Sequence, residues 1–375
     1  MSGPVIGSLC TGYGGLDMAA LSVLGGELAW VADPDPGAAA ILAYHHPTVP
    51  NHGDITTADW YEAEPVDMLT AGFPCQTVSL AGTRAGLVPG AASGLWAEVA
   101  RAVRELRPSL VVIENVQGLL SAKADRGDVG VGPGAQDLDE ATGRPLALRA
   151  LGAVLGDLAG LGFDAEWTSM RASDVGAAHQ RTRVFVLAWP AHPEGPRLAW
   201  PGLPGRPARH GAAAEDPDRA ARRERRQPAP GQAEGGRARA DARGRGGTPA
   251  ADPDPGGRRT HQPLLRPGQP DPGRGPAASP GGGTDWGPYA PAVRRWSAVL
   301  GRPAPGPTDA AGRLNPVFVE WMMGLPPGHV TDVPDLSRTA QLKALGNGVL
   351  PDQAAAALRL LLERATAPAA GEVAA

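Results

Sequence analysis

The amino-acid sequence predicts an α/β fold built on a parallel sheet, together with a smaller region of different composition. Three observations support this prediction. Within the first 190 residues, short apolar runs alternate with segments of helical periodicity, which is the order of elements in βαβ units. A glycine-rich turn follows the first apolar run. The 375 residues also suffice for one large domain and a smaller one.

Apolar spacing predicts the elements of this first region. Leu95–Leu106 is a predicted helix because its leucines and valines fall on one helical face. Residues 148–161 form a second predicted helix, which stops at Gly162 because glycine readily adopts the left-handed conformation beyond a helix end. The predicted strands are the runs PVIGSL, ELAWVAD, VDMLTAG, SLVVIEN and RVFVLAW.

Two more helices are predicted near the end of the sequence. Asn315 and Pro316 suit the N-cap and first position of a helix that ends at Gly324. Pro351 opens a last amphipathic helix, which continues to about Arg364.

Composition separates a middle segment from the rest. Residues 191–283 are rich in proline, glycine and arginine and contain few aliphatic residues, so we expect them to be largely low-complexity and disordered. The net charge of the whole chain is −4, but residues 202–280 carry 15 arginines against 9 acidic residues. This local positive charge suits a phosphate backbone, and a solvated arm explains it equally well. Aromatic residues return after position 284, where Trp286, Tyr289 and Trp296 are expected in the core.

The sequence also excludes several classes of protein. The two cysteines, Cys10 and Cys75, are too few for a disulfide framework or a multi-cysteine zinc site, and we predict no metal site. We find neither a charged leader with an apolar run nor a stretch long enough to span a bilayer. We therefore expect a cytoplasmic protein with no membrane partner.

The segment IGSLCTGYGGLD, residues 6–17, combines a strand, a glycine-rich turn and a helix start. Gly12, Gly14 and Gly15 let the backbone approach a ligand, and the helix start offers free N–H groups. Asp33 closes the next strand, where an acid commonly binds ribose hydroxyls. A nucleotide-cofactor site and a merely tight turn fit this pattern about equally well, and the pattern does not choose between NAD and S-adenosylmethionine.

A second group of residues could carry chemistry at strand ends. Cys75, after Pro74 in AGFPCQTVS, lies where open α/β sheets place their reactive groups. Glu114 directly follows LVVI, and a buried carboxylate there is costly without a partner. Arg181 and Arg183 begin another strand and could lower a thiol pKa. Ordinary salt bridges near a strand end would explain these charges about as well.

Six sequence motifs, in their order and spacing along the chain, together resemble the cytosine carbon-5 DNA methyltransferase family of bacterial or phage type. The resemblance covers about residues 5–190 and 285–363. It implies a Rossmann-like, S-adenosylmethionine-dependent methyltransferase sheet with a small, partly disordered target-recognition domain. The blocks are the glycine-rich opening, Pro-Cys-Gln at 74–76, Glu-Asn-Val at 114–116, Gln-Arg-x-Arg at 180–183, RLNPVFVEWMMGLP at 313–326 and ALGNGVLP at 344–351.

The resemblance implies a division into two domains. Residues 1–190 with 313–375 would form the catalytic and cofactor-binding domain, and residues 191–312 the target-recognition region. Within that region, we expect only residues 284–312 and a piece near 198–203 to pack as structure.

The family chemistry implies a role for each residue of the second group. The thiolate of Cys75, in its Pro74-Cys75 motif, would add to carbon-6 of a cytosine flipped out of the duplex. Glu114 would engage ring N3 and the exocyclic amine. Arg183 would hold the base O2, and Arg181 would support the site.

The same resemblance implies S-adenosylmethionine as cofactor. Many family members carry aromatic residues where this chain has Cys10 and Pro34, which implies weaker stacking on the adenine here. The implied cofactor-binding residues are Thr11, Gly12, Gly14, Gly15 and Leu16 in the turn, Asp33 for the ribose, Asp54 and Ile55 for the adenine, and Asn347 and Val349 from the last block.

The implied partners are double-stranded DNA and, as a candidate, a cognate restriction endonuclease, with the protein acting as a monomer. Three alternatives remain at this point: tRNA cytosine methylation, a non-catalytic DNA module that binds the cofactor, and a nicotinamide oxidoreductase. The last gives the Pro-Cys-Gln block no purpose.

Overall fold

A six-stranded sheet organises the protein. The computed structural model describes residues 3–73, 95–120, 150–191, 198 and 284–366. The strand order is β2-β1-β3-β4-β6-β5, with β1 to β4 parallel and β6 antiparallel to both of its neighbours. The strands are β1 Val5–Leu9, β2 Glu27–Ala32, β3 Met68–Ala71, β4 Leu110–Val116, β5 Phe163–Arg171 and β6 Thr182–Pro190.

Eight α-helices accompany the sheet within the described ranges. Short 3₁₀ turns at Gln117–Leu120, Ala172–Val175 and Gly287–Tyr289 join some of the elements. None of the helices in these ranges combines the length and apolar character needed to cross a bilayer. The helices are α1 Gly15–Leu24, α2 Pro36–His45, α3 Leu95–Leu106, α4 Ala150–Gly160, α5 Ala290–Leu300, α6 Pro316–Met322, α7 Arg338–Asn347 and α8 Pro351–Thr366.

Helices cover both faces of the sheet because side chains alternate along each strand. On β6, Val184 and Val186 belong to the cluster that packs against α3 and α4. Phe185 and Leu187 belong to the opposite cluster, which packs against α1 and α8. Leu198 is also buried in this second cluster. The sheet is therefore enclosed, as in other doubly wound folds.

The five predicted strands are confirmed. The predicted parallel pairing holds for β1 to β4 but not for β6, which pairs antiparallel with β4 and with β5. The sequence analysis missed β5, whose charged, half-exposed residues give little apolar signal. Only residues 172–181 connect β5 to β6. A connection this short favours antiparallel neighbours, since a parallel pair needs a crossover of a dozen or more residues.

The predicted helices are confirmed. Leu95–Leu106 is helical over its full predicted length, and Gly162 after α4 has a φ of 83°. The side chain of Asn315 caps α6 by accepting from Val317 N at 3.1 Å. Helices α2, α5 and α7 were not predicted, although Asp35 and Pro36 give α2 the same kind of N-cap and first-position pair.

Residues 284–312 pack against α6 in a third cluster. Trp296 is fully buried, and its indole N–H donates to Trp321 O at 3.0 Å. Trp286 stacks on Phe318 with ring centroids 5.5 Å apart. The core prediction is confirmed for Trp296 but is wrong for Tyr289, which is 61% exposed.

A buried carboxylate joins α1 to the sheet. Asp17 accepts hydrogen bonds from the hydroxyl of Ser8 on β1 at 2.9 Å and from that of Thr70 on β3 at 2.5 Å. Burial raises the pKa of Asp17 to about 6, although these hydrogen bonds partly oppose the shift. The folded protein therefore binds this proton more tightly than the unfolded chain does.

We predict that Asp17→Asn changes the pH dependence of stability. The contribution of Asp17 to wild-type stability should fall as pH rises from about 4 to above 6, by roughly 3 kcal/mol at about 1.4 kcal/mol per pKa unit. An asparagine cannot ionise, so the variant should gain relative to the wild type over this interval. Urea unfolding at pH 4.5 and 7.5 measures the effect.

The matched control is Asp335→Asn, at an exposed position whose φ of 59° asparagine tolerates. Its difference from the wild type should be the same at both pH values. An equally constant difference for Asp17→Asn would contradict the prediction.

Candidate active site

The glycine-rich turn is tied to the end of the neighbouring strand. β1 ends at Leu9, and Gly12 follows with a φ of 60°. The N–H of Gly12 donates to Asp33 Oδ2 at 2.8 Å, while the N–H of Asp35 donates to Oδ1 at 2.9 Å. Burial raises the pKa of Asp33. The turn and the carboxylate therefore form one unit at the carboxyl end of the sheet.

The glycines of the turn serve different purposes. A Cβ at Gly12 would meet no atom within 4 Å, so its surroundings are open. A Cβ at Gly15 would lie 2.1 Å from Val349 O, so this glycine permits close backbone packing. Gly14 caps α1 with a φ of 84°, and Leu16 is buried against α8 residues. Gly14, Gly15 and Leu16 do not line the neighbouring cavity, so a direct cofactor contact for them stays a prediction.

One cavity of about 500 Å³ collects most of the predicted site residues. This volume is within the range of small-molecule sites. The cavity also has lining residues that the sequence analysis did not assign to the site, among them Asp35, Gly72, Phe73, Asn115 and Lys343. The predicted residues that line it are Thr11, Gly12, Asp33, Asp54, Ile55, Glu114, Arg181, Arg183, Asn347 and Val349.

Glu114 and Arg183 form an ion pair in this cavity. Arg183 Nε lies 2.8 Å from Glu114 Oε1, and both side chains are largely buried. Burial raises the pKa of Glu114, and the nearby Arg183 offsets this only in part. Burial together with Arg181 lowers the pKa of Arg183 to about 10, so its guanidinium remains charged at neutral pH. The pair offers a carboxyl group prone to protonation beside a permanent cation.

Arg181 has a different set of contacts. Its guanidinium donates to Gly346 O at 2.9 Å and to Gly348 O at 2.6 Å. The backbone O of Arg181 accepts from Gln353 on α8 at 2.9 Å. Arg181 therefore attaches the start of β6 to the segment between α7 and α8.

The chain that leads to the predicted nucleophile reaches the cavity. Asn115 Nδ2 donates to Phe73 O at 3.1 Å and so anchors the residues that follow β3. A Cβ at Gly72 would lie 3.6 Å from Cys10 O and 3.8 Å from Glu114 Oε2, between the turn and the ion pair. Pro74 and Cys75 come next in the sequence but lie outside the described residues.

Two other titratable residues lie near the site. Burial, with Asp33 and Asp54 nearby, raises the pKa of Cys10 to about 12, so its thiol stays protonated and unreactive. His179 Nε2 lies 3.1 Å from Met322 O, and burial lowers the pKa of the His179 imidazole.

The donor and acceptor groups of the cavity suit S-adenosylmethionine. The carboxyl groups of Asp33 and Asp54 line the cavity, and oxygen acceptors of this kind suit the ribose hydroxyls and the adenine amine of that cofactor. The open surroundings of Gly12 leave room beside the turn. Cys10 and Pro34 also line the cavity, and the weaker stacking on the adenine that the resemblance implies for them stays a prediction.

The family model of C-5 cytosine-specific DNA methylases matches residues 5–194. The chain belongs to this family. The matched range contains the glycine-rich turn, Glu114 and Arg183, and it confirms the family resemblance seen in the sequence.

Known relatives are similar over part of their length. The type II methyltransferase M.NgoBV of Neisseria gonorrhoeae is 29% identical over 160 residues, covering 43% of this chain and 34% of the relative. M.NlaIV of Neisseria lactamica is 31% identical over 151 residues, covering 40% and 32%. The chain thus spans about a third of these relatives. The crystal structure of S. pombe Dnmt2 methyltransferase aligns with a TM-score of 0.50 and 14% identity, covering 96% of this chain and 99% of that one, a likeness of fold.

The contacts of Arg181 generate a prediction about local order. Arg181→Lys should raise hydrogen exchange of amides 344–350 roughly fivefold, because a lysine cannot reach both glycine carbonyls and one net hydrogen bond contributes about 1 kcal/mol. Mass spectrometry of exchanged protein measures this. Arg183→Lys is the matched control, since Arg183 contacts Glu114 rather than this segment. Equal exchange in both variants would contradict the assigned contact.

Proposed function

We propose that the protein is a DNA cytosine carbon-5 methyltransferase that uses S-adenosylmethionine and a covalent adduct through Cys75. The observation that carries this proposal is the buried Glu114–Arg183 pair, which shares one cavity with Asp33 and the glycine-rich turn. Family membership supports it. A buried carboxyl and guanidinium in the same cavity as Asp33 and the turn match a reaction between a base and a nucleoside-bearing donor.

The proposed chemistry begins at the base. The thiolate of Cys75 bonds to carbon-6, and the ring electrons move toward carbon-5 and N3. Glu114 donates a proton or hydrogen bond at N3, while Arg183 holds O2 and stabilises the developing charge. The cofactor supplies an electrophilic methyl group. Carbon-5 would take this methyl as the sulfonium–methyl bond breaks and S-adenosylhomocysteine leaves. Loss of the carbon-5 proton to a solvent base and breaking of the bond between Cys75 and carbon-6 would then restore the aromatic ring and the thiolate.

The electrostatics of the ion pair suit this step. Because burial raises the pKa of Glu114, its carboxyl can hold a proton at a higher pH than an exposed glutamate can. Arg183 stays cationic and faces the same space. A cytosine in the cavity would thus meet a donor at N3 and a positive charge at O2. The base would have to be flipped out of the duplex, because its reacting atoms are unreachable within the stack.

We further propose the division into a catalytic domain, residues 1–190 with 313–375, and a recognition region, residues 191–312. The packing of α8 against α1 and the sheet supports placing the last segment with the first. A specific duplex sequence is the proposed target, with the protein acting as a monomer in the cytoplasm, and a cognate endonuclease is a candidate partner.

Transfer of tritium from labelled S-adenosylmethionine tests the function. Duplex DNA of mixed sequence should acquire label at cytosine carbon-5, and duplex containing 5-fluorocytosine should trap a covalent adduct. Cys75→Ser should abolish both. Label on tRNA instead, on adenine, or on nothing although the folded protein binds the cofactor, would overturn the proposal.

Glu114→Gln should lower kcat by roughly 10²–10⁴-fold, because a glutamine cannot transfer a proton to N3. In the wild type the rate should fall as pH rises through the raised pKa of Glu114, and this dependence should vanish in the variant. The measurement is the pH profile of kcat for both proteins over the range in which they stay folded. Glu363→Gln, at an exposed position on α8, is the matched control and should behave as the wild type. A pH profile that is unchanged in Glu114→Gln would refute the role.

A further inference from the structure

Tyr13 lies in the middle of the glycine-rich turn, and the proposed chemistry does not use it. The residue is buried, and its hydroxyl donates to Val349 O at 2.7 Å across 336 positions of the sequence. A Cβ at Gly348 would come within 1.8 Å of the Tyr13 ring, so ring and backbone are in close contact. Burial raises the pKa of Tyr13 above its usual range, which keeps the hydroxyl a hydrogen-bond donor.

The backbone of Tyr13 is held from another side. His329 Nε2 lies 2.9 Å from Tyr13 O, and the His45 ring stacks on His329 with centroids 4.1 Å apart. The loop carrying His329 is itself fixed, because the buried carboxylate of Glu320 accepts from Gly328 N at 2.8 Å and from other groups of the loop. Tyr13 is therefore immobilised at both its carbonyl and its hydroxyl.

The segment that Tyr13 contacts is a wall of the cavity. Residues 346–349 all line it. Arg181 binds this segment at Gly346 O and Gly348 O, and Tyr13 binds it at Val349 O. One attachment comes from the start of β6 beside the ion pair, and the other comes from the turn. The position of this wall thus depends on both ends of the site.

We propose that Tyr13 is a positioning residue for the cofactor. Its hydroxyl fixes the Val349 carbonyl, and this fixes residues 346–349 at the distance from the turn that the cofactor requires. That the cofactor is S-adenosylmethionine rests on the proposed function. The contacts of Tyr13 with Val349 and His329 do not depend on that proposal. Without the hydroxyl, Val349 O would lose its buried donor and the wall would shift or loosen.

Tyr13→Phe tests this proposal because it keeps the ring and removes only the donor. Calorimetric titration with S-adenosylhomocysteine should give a Kd raised roughly tenfold, the effect of about one lost buried hydrogen bond. The KM for S-adenosylmethionine should rise by a larger factor than kcat falls. Amides 346–350 should exchange faster in the variant.

Trp296→Phe is the matched control. Trp296 belongs to the same buried cluster as Tyr13 and also donates to a backbone oxygen, that of Trp321, but it does not line the cavity. This variant should lower the melting temperature and leave the Kd for S-adenosylhomocysteine within twofold of the wild type. Gly348→Ala, which displaces the Tyr13 ring while keeping the hydroxyl, should weaken cofactor binding as Tyr13→Phe does.

Three results would overturn the proposal. The first is an unchanged Kd in Tyr13→Phe, or in Gly348→Ala should Tyr13→Phe fail to fold. The second is equal weakening by Trp296→Phe, which would indicate a general loosening of the cluster. The third is a folded wild type that binds neither S-adenosylmethionine nor S-adenosylhomocysteine, which would also refute the proposed function. If the wild type methylates DNA and the Tyr13→Phe variant binds S-adenosylhomocysteine with normal affinity, only the role of Tyr13 is refuted.

Discussion

The contact between Glu114 and Arg183 sets the conditions for the rest of the site. A carboxylate at the end of a buried strand loses its water and needs a charged partner, and a guanidinium at 2.8 Å provides one. Because β6 runs antiparallel to β4, the residue opposite Val116 is Arg183, and this register brings the cation to the acid. The same strand reversal places Arg181 near the carboxyl ends of the parallel strands, where its guanidinium binds Gly346 O and Gly348 O. The direction of β6 therefore brings Arg181 and Arg183 to the cavity.

The cavity wall unites distant parts of the chain. Residues near position 12 provide the turn, those near 114 and 183 provide the ion pair, and residues 346–349 close the space. Buried hydrogen bonds hold this arrangement: Gln353 binds Met170 O and Arg181 O, and Tyr13 binds Val349 O. The contacts are directional and largely shielded from water, so small displacements are costly. The glycine-rich turn and the ion pair therefore share structural supports.

Most of the fold could be predicted from the sequence because its signals are local. Apolar runs revealed five strands, and spacing or capping residues revealed the confirmed helices. β5 escaped because an edge strand with charged residues buries little apolar surface, and its antiparallel direction depends on a connection rather than on composition. Tyr289 looked like core from its residue type alone, yet its side chain is exposed.

The sequence predicted which residues belong to the site better than it predicted the contacts that these residues make. The motifs identified Asp33, Glu114 and Arg183, all of which line one cavity. Sequence spacing could not show that Arg181 binds two glycine carbonyls or that Tyr13 reaches Val349, because both contacts join residues more than 160 positions apart. Gly15 was assigned to the cofactor from its motif, whereas its lack of a side chain is needed for packing against Val349. Roles of this kind depend on tertiary neighbours.

The pairing of Tyr13 with Val349 also bears on how the protein matures. Contacts between residues far apart in the sequence form late, since closing so long a loop is entropically unfavourable until other structure brings the ends together. The first strands and the turn emerge early from a translating ribosome, but their cavity lacks a wall until residues 346–349 have been synthesised. A partly made chain would hold most of the sheet and still be unable to enclose a small ligand. Assembly of the ligand site is thus coupled to completion of translation through this region.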